Sequence, residues 1–297
     1  MSHPFPPQTL PPTGSPELQL PPGANLFSRR SERLRQLAAS HSLGPWLTHQ
    51  AAVGDAQQAA LDALLAEPPA WIEATQPFVL PVTDATLDRV AAVYATLVAA
   101  LAGAEAPEPE SELSAQALRS RVERSLLLAQ AQTPAVGRDV TDLLVAAAMQ
   151  VVWTAAARHA TPNVPHPGPG GACPVCASAA GGSIVLVGEG RAGLRYQQCC
   201  LCATRWNVVR ARCTLCEEGM NVSLLTLEGE NPAIAAETCE HCHGYAKVYL
   251  QDKDRDVDPV ADDLATLALD VLVGEEGFGR AAPNLFLCEG EALPPAG

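Results

Sequence analysis

The first half of the chain carries hydrophobic residues at the spacing of amphipathic helices. Between residues 83 and 101 they stand three or four positions apart, which places them on one helix face. These positions are Leu87, Val90, Tyr94, Leu97 and Leu101. Segments 111–132 and 140–155 show the same pattern, and proline-containing breaks separate the three segments. We predict an antiparallel helical domain over residues 29–160.

The pattern changes after a segment with four prolines, residues 161–172. Proline lacks a backbone donor and restricts the residue before it, so this segment cannot continue a helix and is predicted to be a linker. Short, partly β-branched runs separated by glycine-bearing turns follow, which is the pattern of β-strands. They read SIVLV, LRYQQ, RWNVVRA, VSLLTL and YAKVYL.

A further helix is predicted near the end of the chain. Asp258 suits a helix N-cap, Pro259 suits the first helical turn, and Gly274 can end the helix. The predicted apolar face consists of Val260, Leu264, Leu267, Ala268, Val271 and Leu272.

The acidic run 252–263 precedes and overlaps the start of this helix. It lacks the glycine and the terminal glutamate of an EF-hand loop, so a calcium site is not indicated. We interpret the run, including Asp262 and Asp263, as a solvated helix start.

Eight of the ten cysteines form four C-x-x-C pairs arranged as a duplication. Each unit reads C-x2-C-x22-C-x2-C, and the second unit follows the first by forty residues. The ligand candidates are Cys173, Cys176, Cys199 and Cys202 in one unit and Cys213, Cys216, Cys239 and Cys242 in the other. A β-hairpin between two pairs would bring four thiolates around one metal ion. The sequence therefore predicts two four-cysteine β modules, residues 173–210 and 211–250.

Two details of these modules follow from turn chemistry and from the duplication. The residue after the second cysteine of each pair is expected to adopt a positive φ, although none of the four is glycine. These residues are Ala177, Ala203, Glu217 and His243. The pairs could share metals in sequence order, or interleaved with the first and third pairs together. We favour sequence order because a duplicated unit would carry a complete site.

Other roles are open to some of these groups. One pair could serve thioredoxin-like redox chemistry, and the pairs could form disulfides, but four regularly repeated pairs fit neither role well. Cys200 departs from the repeat and is interpreted as a spare thiol or a core residue, and Cys288 as a small hydrophobe. His241 and His243 flank Cys242, but four cysteines already complete that site.

Composition and charge argue against several classes of function. The 297 residues carry 19 basic and 33 acidic side chains, and the net charge of −14 argues against a phosphate-rich partner. Residues 1–28 are proline-rich and lack the order of a signal peptide, so we expect a disordered leader and a cytoplasmic protein. The longest apolar run, residues 90–104, is too short for a membrane span. In a reducing compartment, paired cysteines favour metal ligation.

The modules offer no basic surface by composition. Between residues 173 and 243, five arginines are outnumbered by seven glutamates. Trp206, with Arg205 and Arg210, could stack on bases, but a core position is the simpler interpretation. Nucleic-acid binding is therefore the second hypothesis. No nucleophile with its base is indicated, so we do not expect an enzyme.

Taken together, these motifs resemble the formate dehydrogenase accessory protein (FdhE) family. The resemblance covers residues 173–287 continuously and is looser over the helical half. It rests on CPVC at 173, the pair at 199–202 followed by ATRW, VVRARC leading into CTLC, AAETCEHCHGYAKVYL, and DVDPVADDLATLALDVLVGEEGFGR.

The resemblance implies a fold and a role. The fold is α+β: an N-terminal helical domain, two tandem rubredoxin-like (zinc-ribbon-like) four-cysteine modules, and a C-terminal helix and tail over residues 251–297. The role is that of a cytoplasmic helper that binds the catalytic subunit of respiratory formate dehydrogenase before export. The eight cysteines would hold two metal ions, iron by resemblance, with zinc as the alternative because the same thiolates suit both. A thiol or one-electron redox protein acting on a client is a further alternative.

Overall fold

The computed structural model describes residues 18–21, 24–68, 71–72, 80–103, 107–132, 137–160, 172–188, 193–210 and 212–287. The predicted linker apart from residue 172, residues 1–17 of the predicted leader, and the lone cysteine at position 288 lie outside these residues. Within them the chain forms an N-terminal helical region, an eight-stranded sheet and two short C-terminal helices. This order confirms the predicted α+β fold.

Five helices are described in the N-terminal region. They are α1 (Leu26–Ala38), α2 (Gly44–Leu65), α3 (Asp84–Leu101), α4 (Ala115–Ala129) and α5 (Val140–Ala157). The side chains of Thr83, Ser114 and Asp139 cap α3, α4 and α5 by accepting a hydrogen bond from the backbone N–H three residues on. The three helices predicted from hydrophobic spacing are confirmed to within a few residues at their ends.

Helix α5 lies at the centre of this region, in contact with α2, α3 and α4. It is long and apolar enough to cross a membrane by length and composition, but 89% of it is buried inside the protein, as in a core helix. The sequence predicted one apolar face. Nearly every side chain of α5 is buried instead, because other elements pack on several of its sides.

One sheet contains all the strands of the described residues, in the order β1-β4-β3-β2-β7-β6-β5, with β8 paired to β7. Their bounds are β1 (Leu18–Gln19), β2 (Ala180–Val185), β3 (Arg195–Cys199), β4 (Arg205–Val208), β5 (Val222–Leu225), β6 (Ile234–Cys239), β7 (Gly244–Leu250) and β8 (Gly279–Arg280). Strands β2 to β4 form the first module and β5 to β7 the second, about forty residues later. Parallel pairing of β2 with β7 joins the two modules into one sheet.

Strand β6 is missing from the sequence-based prediction. Its sequence, IAAETC, is rich in alanine and does not indicate a strand by propensity. All six residues are nevertheless buried, and the strand pairs with β5 on one side and β7 on the other. The duplication does indicate this strand, because β6 ends forty residues after the equivalent strand β3.

The prediction of a disordered leader over residues 1–28 is wrong where the structure describes this segment. Strand β1 pairs with β4 at the edge of the sheet, and α1 already begins at Leu26. The segment folds because Leu26 and Phe27 bury their side chains in the helical core.

The predicted C-terminal helix is observed as two helices, α6 (Ala261–Ala265) and α7 (Leu267–Glu275). Asp258 Oδ1 accepts hydrogen bonds from two backbone N–H groups, those of Val260 and Ala261. The helix itself begins at Ala261 with Val260 as its N-cap, so Asp258 stands two residues before the observed cap. Gly274 does not end the helix. Gly277, with a φ of 91°, follows its last turn and takes that role.

The break at Thr266 changes which residues face the core. Val271 and Leu272, predicted on the apolar face, are 61% and 44% exposed, whereas Leu269 is buried. At the break, the buried ammonium group of Lys247 on β7 donates hydrogen bonds to the carbonyl oxygen and the hydroxyl of Thr266. A local apolar pattern does not indicate this contact with a distant strand.

A buried ionic network attaches α6 and α7 to the sheet. The carboxylate of Asp263, which is 2% exposed, contacts Lys247 Nζ at 2.9 Å and Arg280 Nη2 at 2.6 Å. Both cations also contact Asp270. Burial by itself would raise the pKa of Asp263, but Lys247 and Arg280 hold this pKa well below its usual range.

The neighbouring Asp262 attaches α6 to α1. It is 1% exposed, and one of its oxygens accepts a hydrogen bond from Arg33 Nη2 at 2.6 Å. Burial raises the pKa of Asp262 to about 6, although Arg33 acts to lower it. The interpretation of Asp262 and Asp263 as a solvated helix start is therefore wrong, because cations from α1, β7 and β8 converge on them in the interior.

Replacing Asp263 by asparagine should destabilise the protein strongly. The substitution leaves Lys247 and Arg280 buried with too little negative charge, and breaking a buried ion pair costs about 3–5 kcal/mol. The free energy of unfolding measured by urea denaturation should fall by that amount. Asp256→Asn, at an exposed position in the same acidic run, should change it by less than about 0.5 kcal/mol. Equal losses in the two variants would contradict the role of the network.

Candidate metal centres

The eight paired cysteines meet in two clusters, in sequence order. In each cluster the four sulfur atoms lie within 4.8 Å of one another. Cluster 1 contains Cys173, Cys176, Cys199 and Cys202, and cluster 2 contains Cys213, Cys216, Cys239 and Cys242. All eight are free thiols and not disulfides. The interleaved arrangement does not occur.

The sulfur spacing matches a tetrahedral site. Four ligands about 2.3 Å from a common centre lie about 3.8 Å apart. In cluster 1 the Sγ atoms of Cys173 and Cys202 are 3.7 Å apart, and those of Cys176 and Cys199 are 3.3 Å apart. The corresponding distances in cluster 2 are 3.9 and 3.7 Å. Each donor set therefore fits one ion bound by four thiolates, and both iron and zinc suit it.

The first cysteine turn of each cluster is closed by the same hydrogen bonds. In cluster 1 the N–H of Ala177 donates to the carbonyl of Cys173. The N–H of Cys173 donates in turn to the carbonyl of Ser178. The N–H of Val175 points at the sulfur of Cys173, 3.4 Å away. The residues forty positions later make the same three bonds in cluster 2. Backbone donors of this kind favour the thiolate form.

Each of the four turns ends with a residue in the left-handed region, as predicted. The φ angles are 62°, 57°, 61° and 52° at Ala177, Ala203, Glu217 and His243. A residue with a Cβ costs about 1–2 kcal/mol in this conformation. A structural zinc site contributes about 10–16 kcal/mol in model peptides. A bound ion would therefore more than offset the strain of the turns.

Glycine at position 217 should stabilise the protein. Glu217 is exposed, so Glu217→Gly removes the strained Cβ without opening a cavity, and the free energy of unfolding should rise by about 0.5–1 kcal/mol. Urea denaturation of the metal-loaded protein measures the change. Glu217→Ala removes the same charge but keeps the Cβ, so it should bring no such gain. A similar gain in both variants would assign the effect to charge instead of backbone strain.

Four buried thiols cannot all ionise without a cation. Burial raises the pKa of Cys173 and of Cys199 well above the ordinary thiol value. Burial acts in the same direction on Cys176, but hydrogen bonds from the neighbouring thiols outweigh it and lower the pKa of Cys176. A cation that binds cluster 1 through four thiolates therefore has to displace protons.

Cluster 1 lies at the junction between the sheet and the helical region. Its cysteines belong to the same hydrophobic core as α5. Cys200, beside the cluster, is a core residue: its thiol donates to the carbonyl of Ala129 on α4, and its carbonyl accepts a hydrogen bond of 2.8 Å from Gln150 on α5. One of the two interpretations of Cys200 is therefore confirmed.

Cluster 2 lies at the protein surface. Cys213 and Cys239 are buried, Cys216 is half-buried and Cys242 is exposed. His241 and His243 are not members of the cluster. His243 instead supplies the left-handed position of its turn, and its ring lies 6.3 Å from that of Phe278.

Trp206 and Arg195 are both buried in the sheet, and the core position favoured for Trp206 is therefore confirmed. Trp206 is 1% exposed and its Nε1 donates to Gln197, so it cannot stack on bases. Arg195 is also 1% exposed and pairs with Glu237 through two hydrogen bonds of 2.6 and 2.9 Å. This pair reaches from β3 across β2 and β7 to β6. Nothing in the local sequence around Arg195 indicates this buried pair.

Three sequence-family models match consecutive parts of the chain. FdhE, N-terminal, matches residues 15–166, FdhE, central domain, matches residues 172–210, and FdhE, C-terminal domain, matches residues 211–287. The chain belongs to the FdhE family. This membership confirms the resemblance found from the cysteine pairs and the C-terminal motif, and extends it over the helical half.

Relatives with this name match along most of their length. FdhE homologues from Pectobacterium carotovorum and Edwardsiella ictaluri are each 36% identical to the chain, over 92% of the chain and 92% of either relative. The crystal structure of the FdhE protein from Pseudomonas aeruginosa superposes with a TM-score of 0.68 at 29% identity, and covers 93% of this chain and 100% of its own. The architecture is therefore that of an FdhE accessory protein throughout.

Proposed function

We propose that this protein binds the catalytic subunit of respiratory formate dehydrogenase in the cytoplasm and supports its assembly into active enzyme. The observation that carries the proposal is the pair of closed four-thiol clusters in a chain of the FdhE family. The eight cysteines of clusters 1 and 2 would hold two metal ions. The protein would act by binding its client and not by catalysing a reaction.

The geometry of the clusters supports a binding role. Four sulfur ligands complete a tetrahedral site, whereas a catalytic zinc keeps one position open for water or substrate. A bound ion would supply structural cross-linking or, if it is iron, transfer of a single electron. The cysteine turns around it would then present a fixed surface to another protein.

The charge of the chain supports a protein client over nucleic acid. The net charge is −14, and phosphate-rich partners are bound mainly through lysine and arginine. The burial of Trp206 removes the aromatic side chain that could have stacked on bases. Arg195 is neutralised by Glu237 inside the sheet.

Capture of the client tests the proposal. The tagged full-length chain should retain the catalytic subunit of formate dehydrogenase from cells that make this enzyme. Cys199→Ser removes a ligand of cluster 1 and should reduce the recovered subunit at least about tenfold, since a structural site contributes far more than the 1.4 kcal/mol that corresponds to tenfold binding. Cys200→Ala removes the neighbouring thiol outside the cluster and should retain the subunit. Normal formate dehydrogenase activity in a strain without this protein would contradict the proposed function.

Metal analysis of the purified chain tests the ligand assignment. The wild-type protein and Cys200→Ala should contain two ions per chain, because each cluster offers a complete tetrahedral set. Cys176→Ser should contain one. Visible absorbance then identifies the ion, because ferric thiolate is coloured and zinc thiolate is not. A wild-type protein that binds no metal would contradict the assignment of all eight cysteines.

The exposure of cluster 2 favours a second candidate, one-electron transfer to the client. Cys242 is exposed, so a redox partner could approach this cluster closely. Replacement of iron by zinc separates the two functions, because zinc has no redox chemistry but keeps the tetrahedral geometry. Client maturation by the zinc-loaded protein would support the structural function, and its loss in a folded zinc-loaded protein would support electron transfer.

A further inference from the structure

The two clusters share one geometry but differ in what covers them. The four cysteines of cluster 1 are between 0% and 4% exposed. The N–H of Ala179 donates to the carbonyl of Ala129 at 2.7 Å, and Gln150 donates to the carbonyl of Cys200. These bonds attach α4 and α5 directly to the cysteine turns. Access to the sulfur atoms of cluster 1 therefore requires the helical region to separate from the sheet.

Cluster 2 has no comparable cover among the residues that the structure describes. Cys213 and Cys239 are buried, but none of the four cysteines belongs to one of the three hydrophobic clusters of the described residues. Its fourth thiol, Cys242, is exposed, and so are the flanking His241 and His243. Beside the turn that carries Cys216, Met220 is 87% exposed. Solvent thus reaches this cluster in the folded protein.

Three acidic residues follow cysteines of cluster 2 by one or two positions along the chain. Glu217, Glu218 and Glu240 adjoin its cysteines, and Arg212 is the one basic side chain other than histidine between residues 212 and 243. The carboxylate of Glu218 is held in place by two backbone N–H donors at 2.8 and 3.0 Å. Negative charge at the mouth of a site raises the local concentration of metal cations.

We propose that cluster 2 is the exchangeable metal site of this protein, loaded and unloaded at Cys242 through the acidic rim of Glu217, Glu218 and Glu240. Cluster 1 is the permanent centre that holds the helical region on the sheet. The ligand is a thiophilic cation such as zinc or iron. The inference rests on the proposed ligation of a metal by both clusters.

Because the two clusters differ in how far other elements cover them, we expect them to exchange metal at different rates. Cys242 is the thiol that a chelator or a thiol of another protein reaches first. Dissociation of its sulfur from the metal leaves the pairing of β5, β6 and β7 in place. In cluster 1 the first step is a local unfolding of the helix-sheet junction, and its free energy adds to the barrier for exchange. The clusters should therefore lose metal one after the other.

Chelator kinetics on the full-length protein loaded with two zinc ions test the proposal. Excess 4-(2-pyridylazo)resorcinol should withdraw one zinc per chain in a fast phase and one in a phase about tenfold slower or more. Trp153 and Trp206 are buried in the same core as cluster 1. Tryptophan fluorescence should therefore stay constant through the fast phase and change only with the slow phase.

Alkylation identifies the cluster without any substitution. Iodoacetamide added at the end of the fast phase should modify the four cysteines of cluster 2 and spare those of cluster 1, as read by mass spectrometry of the peptides. Release of both ions in one phase, or earlier modification of cluster 1, would overturn the proposal.

The duplication provides a matched pair of variants, because Cys202 and Cys242 occupy equivalent positions. Cys242→Ser should abolish the fast phase and leave the rate of the slow phase unchanged. Cys202→Ser should retain the fast phase if it folds, and should lower the urea midpoint. The reverse assignment of the two phases would contradict the inference.

Rebinding of zinc to protein stripped only at cluster 2 tests the acidic rim. Glu217→Gln combined with Glu240→Gln should slow this rebinding about threefold at low salt and much less at high salt, because screening removes the attraction. Glu228→Gln combined with Glu230→Gln, at the other end of the β5-β6 hairpin, is the control and should rebind like the wild type. Equal slowing by both pairs would exclude a specific role for the rim.

The outcomes separate this inference from the proposed function. A purified chain with no metal would contradict the ligation on which both depend. If both ions leave in one phase but the chain still captures its client, only the exchange role of cluster 2 is contradicted. The proposed function is then unaffected.

Discussion

The gathering of four sulfur atoms at one end of a β-hairpin is the constraint on which this structure depends. Each hairpin has to return its second cysteine pair to the first, and this requirement places four non-glycine residues in the left-handed region. In cluster 1 the same sulfur atoms also lie against the helical core, so the geometry of one metal centre positions two parts of the chain. A tetrahedral set of thiolates can stabilise such an arrangement strongly, because its stabilisation far exceeds the cost of strained turns.

Buried charges provide the second set of connections, between elements that are distant in sequence. The pair Arg195–Glu237 crosses the parallel seam of β2 and β7, where the two modules meet. Lys247 and Asp263 join the sheet to the C-terminal helices in the same way. Both members of each pair are nearly excluded from solvent. They make the orientation of the modules and helices specific, because a shifted packing would leave a charge buried without its partner.

Duplication produced two sites of equal geometry and unequal surroundings. One copy is covered by helices α4 and α5, and the other remains at the surface with an exposed thiol, Cys242. A single ligand motif can in this way supply both a stable junction and an accessible centre within one sheet. For an accessory protein, this division separates the part that maintains the fold from the part that another molecule can reach.

The sequence alone determined the ligand sets, their order, the hairpins, the left-handed turns and the central helices. These features follow from local chemistry and from a forty-residue repeat, both of which are visible in one chain. Only the tertiary structure decided the burial of Asp262 and Asp263, the break at Thr266 and the unequal cover of the two clusters. Each of these depends on partners tens or hundreds of residues away, such as Arg33 for Asp262. A local sequence pattern does not determine which distant cation or helix packs against it in the folded protein.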